Sequence, residues 1–217
     1  VLDFRDPWAL NQHSHHGPLQ RRILRRLERW VLRTCDALIL NTTGAERLYR
    51  DRYPEYAHKM TCVPNGFDEL NIASPSRQRD RFTIMHVGDF YRSRTPARLL
   101  EALCALNDPE IEFVHIGPSS EILQRYADRV RIRHIERIPH AEALELMRTA
   151  SLLYLVQGWE DGITEYVAVA SKTYEYLATG LPVLAEMPPG DNADIIRQFA
   201  SKAWVVTSRD VNAVTAA

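Results

Sequence analysis

The sequence is poor in cysteine, has no long apolar run and carries almost no net charge. Its three cysteines, Cys35, Cys62 and Cys104, are far apart and include no Cys-x-x-Cys pair, which argues against a zinc site and for a reducing compartment. Apolar runs such as 152–156 are five residues long, whereas a membrane-spanning helix needs ~20 residues. The N-terminus lacks the basic and apolar regions of a secretory signal. A formal net charge of −1 gives no field that would gather nucleic acid. We therefore expect a cytoplasmic globular protein without a nucleic-acid partner.

Short apolar runs alternate with amphipathic stretches along the chain, a pattern typical of parallel α/β folds. Strands are predicted at 1–4, 37–40, 60–63, 82–87, 111–116, 130–135, 152–156, 182–185 and 203–206. Helices are predicted at 18–34, 43–49, 96–106, 120–127, 140–149, 171–179 and 192–199, and another begins near 210.

The polar stretch 71–80 has no hydrophobic pattern, which indicates an interdomain linker. We predict an α/β protein with two doubly wound Rossmann-like units. Residues 1–72 form the C-terminal part of a first domain, 73–80 the linker and 81–217 a second domain. The first unit is incomplete: the chain lacks an initiator Met and opens directly on a strand, so we expect a piece of a longer protein.

The helix predicted at 18–34 combines two patterns. Apolar side chains recur at helical spacing along one stripe, namely Leu19, Ile23, Leu27, Trp30 and Val31. Away from this stripe the helix carries six arginines and only one acidic residue, Glu28. The arginines are Arg21, Arg22, Arg25, Arg26, Arg29 and Arg33. Such a stripe can pack on a sheet, whereas a basic amphipathic helix can also lie on the anionic inner face of a membrane. Both interpretations stay open at this point.

Loops that follow two predicted strands carry residues suited to binding phosphate. Gly88 and two arginines, Arg92 and Arg94, follow strand 82–87, and Gly117 follows strand 111–116. Ligands of parallel sheets bind at the carboxyl ends of strands, where glycine allows close approach and arginine binds phosphate oxygens. Neither G-x-G-x-x-G nor a Walker lysine is present, which argues against a dehydrogenase or a P-loop enzyme. An ordinary solvated loop is the alternative.

The helix predicted at 171–179 has a ligand-binding pattern of its own. Ser171 can cap it and leave backbone N–H groups for a phosphate, and Glu175 can accept hydrogen bonds from a diol such as ribose. In the turn 188–192, Asp191 or Asn192 is expected to cap the following helix.

Three histidines, His13, His15 and His16, lie close together in a polar segment. Their spacing is too short for a tetrahedral metal site and no carboxylate cluster accompanies them. We expect a solvated loop and no metal.

Residues 172–185 read Lys-Thr-Tyr-Glu-Tyr-Leu-Ala-Thr-Gly-Leu-Pro-Val-Leu-Ala. This stretch resembles the donor-site signature of the family 4 (group 1) retaining glycosyltransferases, which have the GT-B fold. Three other stretches are similar to that family in the same order: 37–42, 62–68 with its Pro-Asn-Gly-x-Asp motif, and 86–94. The resemblance spans nearly the whole chain, which would cover about half of a complete enzyme of the family.

The resemblance implies that a nucleotide-sugar donor binds the second domain. Arg94 and Arg92 would bind the diphosphate, Glu175 the ribose, and the backbone near Ile138 the base. The complete implied donor set is Gly88, Arg92, Arg94, Gly117, Ile138, Ser171, Lys172, Thr173 and Glu175. The residues implied to face the interdomain cleft on the acceptor side are Asp3, Arg5 and Asp6. The family neutralises the diphosphate with arginines and helix dipoles, so no obligatory metal cofactor is implied, and no catalytic nucleophile or base is assigned.

Two positions depart from the family pattern. Val167 stands where the first glutamate of its E-x7-E motif falls, and Asp89 stands where many members have arginine. The resemblance implies transfer of a sugar, with retention, to a glycan or lipid-linked acceptor in polysaccharide biosynthesis. This partial chain is expected to bind the donor but to transfer poorly. The alternatives are a non-catalytic nucleotide-sugar-binding module, which Val167 favours, and a GT-B nucleotide-sugar epimerase, which would need clustered carboxylates and histidines.

Overall fold

A computed structural model describes residues 1–12, 16–67, 81–91, 93–160, 163 and 165–216. They form two compact units. Unit 1 consists of Val1–Gly66, Glu160–Ser171 and Pro189–Asn192, and unit 2 of Phe67–Trp159, Lys172–Pro188 and Ala193–Ala217. The predicted linker 73–80, Arg92 and the histidine-containing residues 13–15 lie outside the described residues, and the predicted domain boundaries stay predictions.

Unit 1 is built on a three-stranded parallel sheet. Its strands are β1 (Leu2–Phe4), β2 (Leu38–Leu40) and β3 (Met60–Cys62), in that order. Its helices are α1 (Pro18–Thr34), α2 (Thr43–Arg52) and a 3-10 helix at Pro54–Lys59. The 3-10 helix was not predicted; Pro54 has no N–H with which to continue α2, so the chain breaks there and re-forms a tighter turn.

Unit 2 is built on a six-stranded parallel sheet. Its strands are β4 (Phe82–Val87), β5 (Ile111–Ile116), β6 (Ile132–Ile135), β7 (Leu152–Val156), β8 (Val183–Glu186) and β9 (Ala203–Val206). Its helices, two of which start with residues of unit 1, are α3 (Ala97–Leu106), α4 (Glu121–Tyr126), α5 (His140–Met147), α6 (Ser171–Ala178), α7 (Asp191–Phe199) and α8 (Val211–Thr215). The predicted α/β class with two Rossmann-like units is thus confirmed.

The strand order of unit 2 locates the place where a ligand is expected. The order is β6-β5-β4-β7-β8-β9, which is the doubly wound order of nucleotide-binding sheets. The direction of winding reverses between β4 and β7, and ligands of such sheets bind outside the carboxyl ends of the strands at this reversal. The loop after β4 and the start of α6 are therefore the first places to look for a site.

Both faces of the unit 2 sheet are covered by apolar side chains. Ile84, Phe113 and Tyr154 pack on one face with residues of α3 and α4. Met85 and Val114 alternate with them and pack on the other face with residues of α5, α6 and α7. Each such side chain stabilises the fold by roughly 1.5–3 kcal/mol, so the loops at the strand ends are held on a rigid base. Within the described part of the chain, no helix is long and apolar enough to cross a membrane.

Candidate functional site

Two glycines form the backbone at the carboxyl ends of β4 and β5. Gly88 has φ +115° and Gly117 has φ +154°, and residues other than glycine rarely adopt such positive φ angles. A Cβ on Gly88 would lie 2.5 Å from Lys172 Nζ, and one on Gly117 would lie against the Gly88 carbonyl oxygen. Glycine is therefore needed at both positions because backbone and side chains approach each other closely there.

Lys172 brings a positive charge to this edge of the sheet. Its ammonium donates a hydrogen bond of 2.7 Å to the Val87 carbonyl at the end of β4. One turn further along α6, the Tyr176 hydroxyl accepts the Val87 N–H at 3.0 Å. Burial and the nearby Arg94 guanidinium lower the pKa of Lys172 to about 8, while Asp89 and Glu175 oppose the shift. Lys172 is thus a half-buried cation held at the reversal point of the sheet.

The loop after β4 places further charged groups near Lys172. The Arg94 guanidinium lies over the Tyr91 ring, 4.7 Å from its centroid. Asp89 accepts two hydrogen bonds of 2.9 and 3.0 Å from Arg137, which follows β6 and was not singled out from the sequence. Asp89, the departure from the family pattern, is therefore neutralised by an arginine from another loop.

The predicted residues of α6 differ in accessibility. Ser171 is exposed at the first position of the helix, whereas Thr173 is fully buried, so a ligand could meet Thr173 only through its backbone. The Glu175 carboxylate lies 2.9 Å from His140 Nε2, and both side chains reach solvent. Ile138 is half-buried and packs against the core of unit 2. The helix therefore presents its N-terminus and Glu175, but not the Thr173 hydroxyl.

A row of three histidines lies under the two glycine loops and was missed from the sequence. His86, His115 and His134 occupy matched positions on β4, β5 and β6. His115 Nε2 lies 3.1 Å from the Pro118 carbonyl, and His134 Nε2 lies 2.8 Å from the Gly117 carbonyl. Phe90 stacks on His86 and His115, with centroids 4.1 and 4.5 Å away.

The hydrogen bonds of the row define its tautomers. A carbonyl oxygen only accepts, so His115 donates through Nε2–H and, when neutral, leaves Nδ1 as an acceptor. His86 Nδ1 lies 3.1 Å from that atom and must donate to it. Burial holds the pKa of His86 well below its usual range and lowers the pKa of His115 to about 4, although the bond to Pro118 opposes this. His86 and His115 are therefore neutral at pH 7, and the bonds of His115 and His134 to the Pro118 and Gly117 carbonyls tie the loop after β5 to the sheet.

We expect the chain to lose stability as the pH falls from about 6.5 to 4, because the unfolded state then binds a proton that buried His115 does not. The contribution of His115 is about 3 kcal/mol over this range at 1.36 kcal/mol per pKa unit. Urea unfolding at several pH values should show a shallower loss for His115→Gln than for the unchanged chain. His58→Gln, an exposed histidine of the 3-10 helix, is the control. Equal slopes for both variants would contradict the expectation.

Unit 1 contains a separate polar cavity of about 450 Å³. It is lined by Arg5, Asp6, Asn41, Asn65, Gly66, Val169 and Ser171. Asp3 lies 2.9 Å from the Arg5 guanidinium, which also donates to the Asn65 side chain. The structure thus brings together Arg5, Asp6 and Ser171, and it places Asp3 behind Arg5 as its ion-pair partner. Asn65 belongs to the Pro-Asn-Gly motif and is an additional lining residue.

Asp191, a predicted cap of the following helix, is the first residue of α7, and its side chain binds a different helix. Both of its carboxylate oxygens accept the Gly44 N–H, at 2.9 and 3.1 Å, so the carboxylate lies at the N-terminus of α2. The Thr42 hydroxyl occupies the adjacent Ala45 N–H. A Cβ on Gly44 would lie 2.5 Å from Asp191, which explains the glycine. The positive end of α2 is therefore already neutralised by the chain itself.

Val167 is a core residue of unit 1 rather than part of a polar site. Its side chain is buried with Leu38, Tyr49 and Met60. Its carbonyl accepts the Thr42 hydroxyl at 2.7 Å. Glu165, the nearest carboxylate in sequence, pairs with Arg47 at 3.0 Å instead. At the position of the first motif glutamate, Val167 thus contributes an apolar side chain to the core of unit 1 and no charge. Across the described ranges, no three His, Cys, Asp or Glu side chains cluster so as to hold a metal ion.

No protein-family model and no curated protein sequence matches the chain. Solved structures do. HepE of Anabaena, solved with UDP and glucose, has a TM-score of 0.69 at 14% identity over 99% of this chain and 59% of its own. Sucrose-phosphate synthase of Thermosynechococcus elongatus has a TM-score of 0.68 at 19% identity, over 99% and 56%. Trehalose 6-phosphate synthase of Burkholderia multivorans has a TM-score of 0.62 at 16% identity, over 93% and 55%. The chain spans little more than half the length of these structures, and at such identities the likeness shows the fold: it is that of the GT-B glycosyltransferases.

Proposed function

We propose that the chain is part of a retaining glycosyltransferase and that unit 2 binds its nucleotide-sugar donor. The observation that carries the proposal is the cationic, glycine-lined edge at the winding reversal of the unit 2 sheet. Lys172 and Arg94 lie there, and α6 begins there. HepE, which has the same fold, was solved with UDP and with UDP-glucose, so a uridine nucleotide is the first donor to test.

The donor diphosphate is assigned to Lys172, Arg94 and the N–H groups that open α6, with Arg92 as a further candidate. Negative charge develops on the leaving diphosphate during transfer, and preorganised cations and a helix N-terminus stabilise it best in the transition state. The protein itself supplies these charges, so the proposal includes no obligatory metal ion. Gly88 lets the Lys172 ammonium lie against the loop after β4, and Gly117 lets the loop after β5 pack on that same loop, so both glycines position the groups assigned to the diphosphate.

The remaining donor contacts are assigned from the family resemblance. Glu175 binds the ribose hydroxyls, and the backbone near Ile138 binds the base.

The unit 1 cavity, with Arg5 and Asp6 in its wall, is assigned to the acceptor, a glycan or a lipid-linked sugar of polysaccharide biosynthesis. Because Val167 leaves no carboxylate at the first motif position, we expect the 217-residue chain to bind nucleotide but to transfer sugar slowly. The free Cys35, Cys62 and Cys104 agree with a cytoplasmic location.

A thermal-shift titration with UDP, GDP, ADP, CMP and inorganic phosphate tests the donor assignment. A ligand at one hundred times its dissociation constant stabilises the folded chain by about 2.7 kcal/mol. We expect one nucleoside diphosphate to raise the Tm strongly and Glu175→Ala to abolish most of that increase. No shift with any nucleotide would contradict the proposal.

His140→Ala is the matched control for Glu175→Ala. Both substitutions break the same 2.9 Å contact, but His140→Ala leaves the carboxylate in place. Nucleotide binding should therefore survive His140→Ala and fail in Glu175→Ala. If both variants lose binding equally, Glu175 acts by holding the local structure and its assignment to ribose is wrong.

A further inference from the structure

The apolar stripe of α1 is not part of the core of unit 1. Its members Leu19, Ile23, Leu27 and Trp30 are 72%, 49%, 45% and 56% exposed. They follow one another at helical spacing, so they form a continuous ridge roughly 16 Å long at 1.5 Å per residue. Within the described residues, this stripe does not pack on the unit 1 sheet.

The orientation of α1 is fixed by a buried carboxylate on its opposite side. Glu28 is fully buried and accepts the Tyr49 hydroxyl at 2.5 Å, the Tyr53 hydroxyl at 2.6 Å and the Ala9 N–H at 2.8 Å. Leu32, one turn further, is buried in the core. Rotating the helix to bury the stripe would break all three hydrogen bonds to Glu28 and leave its charge without partners. The fold of unit 1 thus turns the stripe away from its core.

Arginines border the stripe along its whole length. Arg22, Arg26 and Arg33 each follow a stripe residue by three positions and lie beside it on the helix. Arg22 and Arg26 also belong to a basic groove of about 720 Å³, which is lined by His16, Pro18, Arg21, Arg22, Arg25, Arg26, Arg29, Arg52 and Tyr53. Among the residues that the structure describes, only Arg29 of this groove has an ion-pair partner, Glu55 at 3.5 Å. Positive charge is therefore concentrated here in a chain whose net charge is −1.

We propose that α1 is a membrane-surface helix that lies in the plane of an anionic bilayer. The ridge enters the boundary between headgroups and acyl chains, with Trp30 at the interfacial depth that indole prefers. The adjacent arginines bind lipid phosphates, and the attraction falls off within a Debye length. A lipid surface fits this helix because its apolar strip can contact acyl chains while the cationic strip beside it contacts the phosphates at the same interface. This inference rests on unit 1 alone and is independent of the donor site in unit 2.

Vesicle binding of the unchanged chain tests the proposal. We expect co-sedimentation with phosphatidylcholine vesicles that contain one third phosphatidylglycerol, at least tenfold weaker binding to pure phosphatidylcholine, and a blue shift of tryptophan fluorescence on binding. Trp30→Phe should remove that blue shift. Failure to bind the anionic vesicles would overturn the proposal.

Two exposed double substitutions separate the apolar from the electrostatic contribution. Ile23→Ser with Leu27→Ser, and Arg22→Gln with Arg26→Gln, should each weaken binding at least tenfold while the chain stays folded, because none of the four side chains belongs to the core. Arg125→Gln, an exposed arginine of α4 in unit 2, should have no effect. If only the arginine pair matters, the chain merely adsorbs by charge and the proposal is wrong. It is equally wrong if size-exclusion chromatography shows a dimer that the serine pair converts to monomer, since the ridge is then a contact between copies.

Discussion

A Lys172→Met variant is expected to bind a nucleoside diphosphate ten- to one-hundred-fold more weakly than the unchanged chain at pH 7. The Lys172 ammonium lies at the carboxyl end of β4, between the Val87 carbonyl and the Gly88 backbone. A hydrogen bond to a charged partner contributes about 1.5–3 kcal/mol, and each 1.4 kcal/mol is a factor of ten in affinity. Methionine retains most of the volume, so the loss reports charge rather than packing. Isothermal titration calorimetry with the nucleotide that shifts the Tm most gives the ratio directly.

The affinity for the nucleoside diphosphate should also depend on pH, because the charge of Lys172 changes with pH. Burial, with help from Arg94, lowers the pKa of Lys172 to about 8, so the free chain loses this positive charge as the pH rises through about 8. A bound diphosphate favours the charged form, and binding above pH 8 must therefore take up a proton. We expect the affinity of the unchanged chain to fall about tenfold per pH unit above this value.

Two variants serve as controls for this pH dependence. Lys172→Met should bind the nucleoside diphosphate weakly and with no pH dependence in the same range. Lys202→Met should behave like the unchanged chain, because Lys202 precedes β9 at the opposite, amino end of the sheet, where its ammonium lies over the Trp204 ring. A fall in affinity above pH 8 that persists in Lys172→Met would show that another group titrates and that Lys172 does not bind the diphosphate.

The course of the backbone was predictable because its signals are local. Alternation of apolar runs with amphipathic stretches located every strand to within one or two residues, and Gly180 marked the end of α6, where it takes φ +67°. The histidine row was not predictable in this way. His86 and His115 are separated by a helix in sequence and meet only because β4 and β5 pair in a particular register. A single sequence contains the strands but not their register.

The candidate site shows the same division between local and non-local information. Gly88 and Glu175 could be singled out from a strand end and a helix start, since both are local features, whereas Lys172 was indicated only by the family resemblance. The contact of Lys172 with the Val87 carbonyl and the pairing of Asp89 with Arg137 depend on tertiary packing and could not. Helical periodicity likewise shows which residues of α1 share a face, but not which face meets the core. In α1 the face that meets the core includes an acid, Glu28, whose carboxylate is stabilised there by hydrogen bonds from two tyrosine hydroxyls.

An Arg98→Met variant is expected to lower the free energy of unfolding by about 3–5 kcal/mol, the range measured when one member of a buried ion pair is removed. Arg98 belongs to the first turn of α3, and its Nε and a terminal nitrogen both lie 2.8 Å from Oε1 of Glu186 at the end of β8. The side chain of Glu186 is 3% exposed and that of Arg98 is 16% exposed. Without Arg98, the Tyr154 hydroxyl at 2.9 Å would be the one side-chain partner left to the carboxylate among the described residues. Chemical denaturation at pH 7 measures the loss.

The pH dependence of the Arg98→Met variant distinguishes a lost charge pair from lost packing against Trp159, whose ring lies 4.2 Å from the guanidinium. Burial raises the pKa of Glu186, while Arg98 and Tyr154 oppose that shift, so removing Arg98 raises this pKa further. A buried acid with a raised pKa destabilises the fold at pH values above its unfolded pKa, and protonation relieves the cost as the pH falls. The stability difference between Arg98→Met and the unchanged chain should therefore shrink toward pH 5. Adding Glu186→Gln to Arg98→Met should recover much of the loss in the free energy of unfolding at pH 7. Arg125→Met is the control: it breaks an exposed pair with Glu121 at 3.9 Å and should lower the free energy of unfolding by less than about 0.5 kcal/mol. A loss that is the same at every pH and unchanged by Glu186→Gln would assign the effect to the contacts of Arg98 with Trp159 and the Ser208 carbonyl, and not to the buried pair.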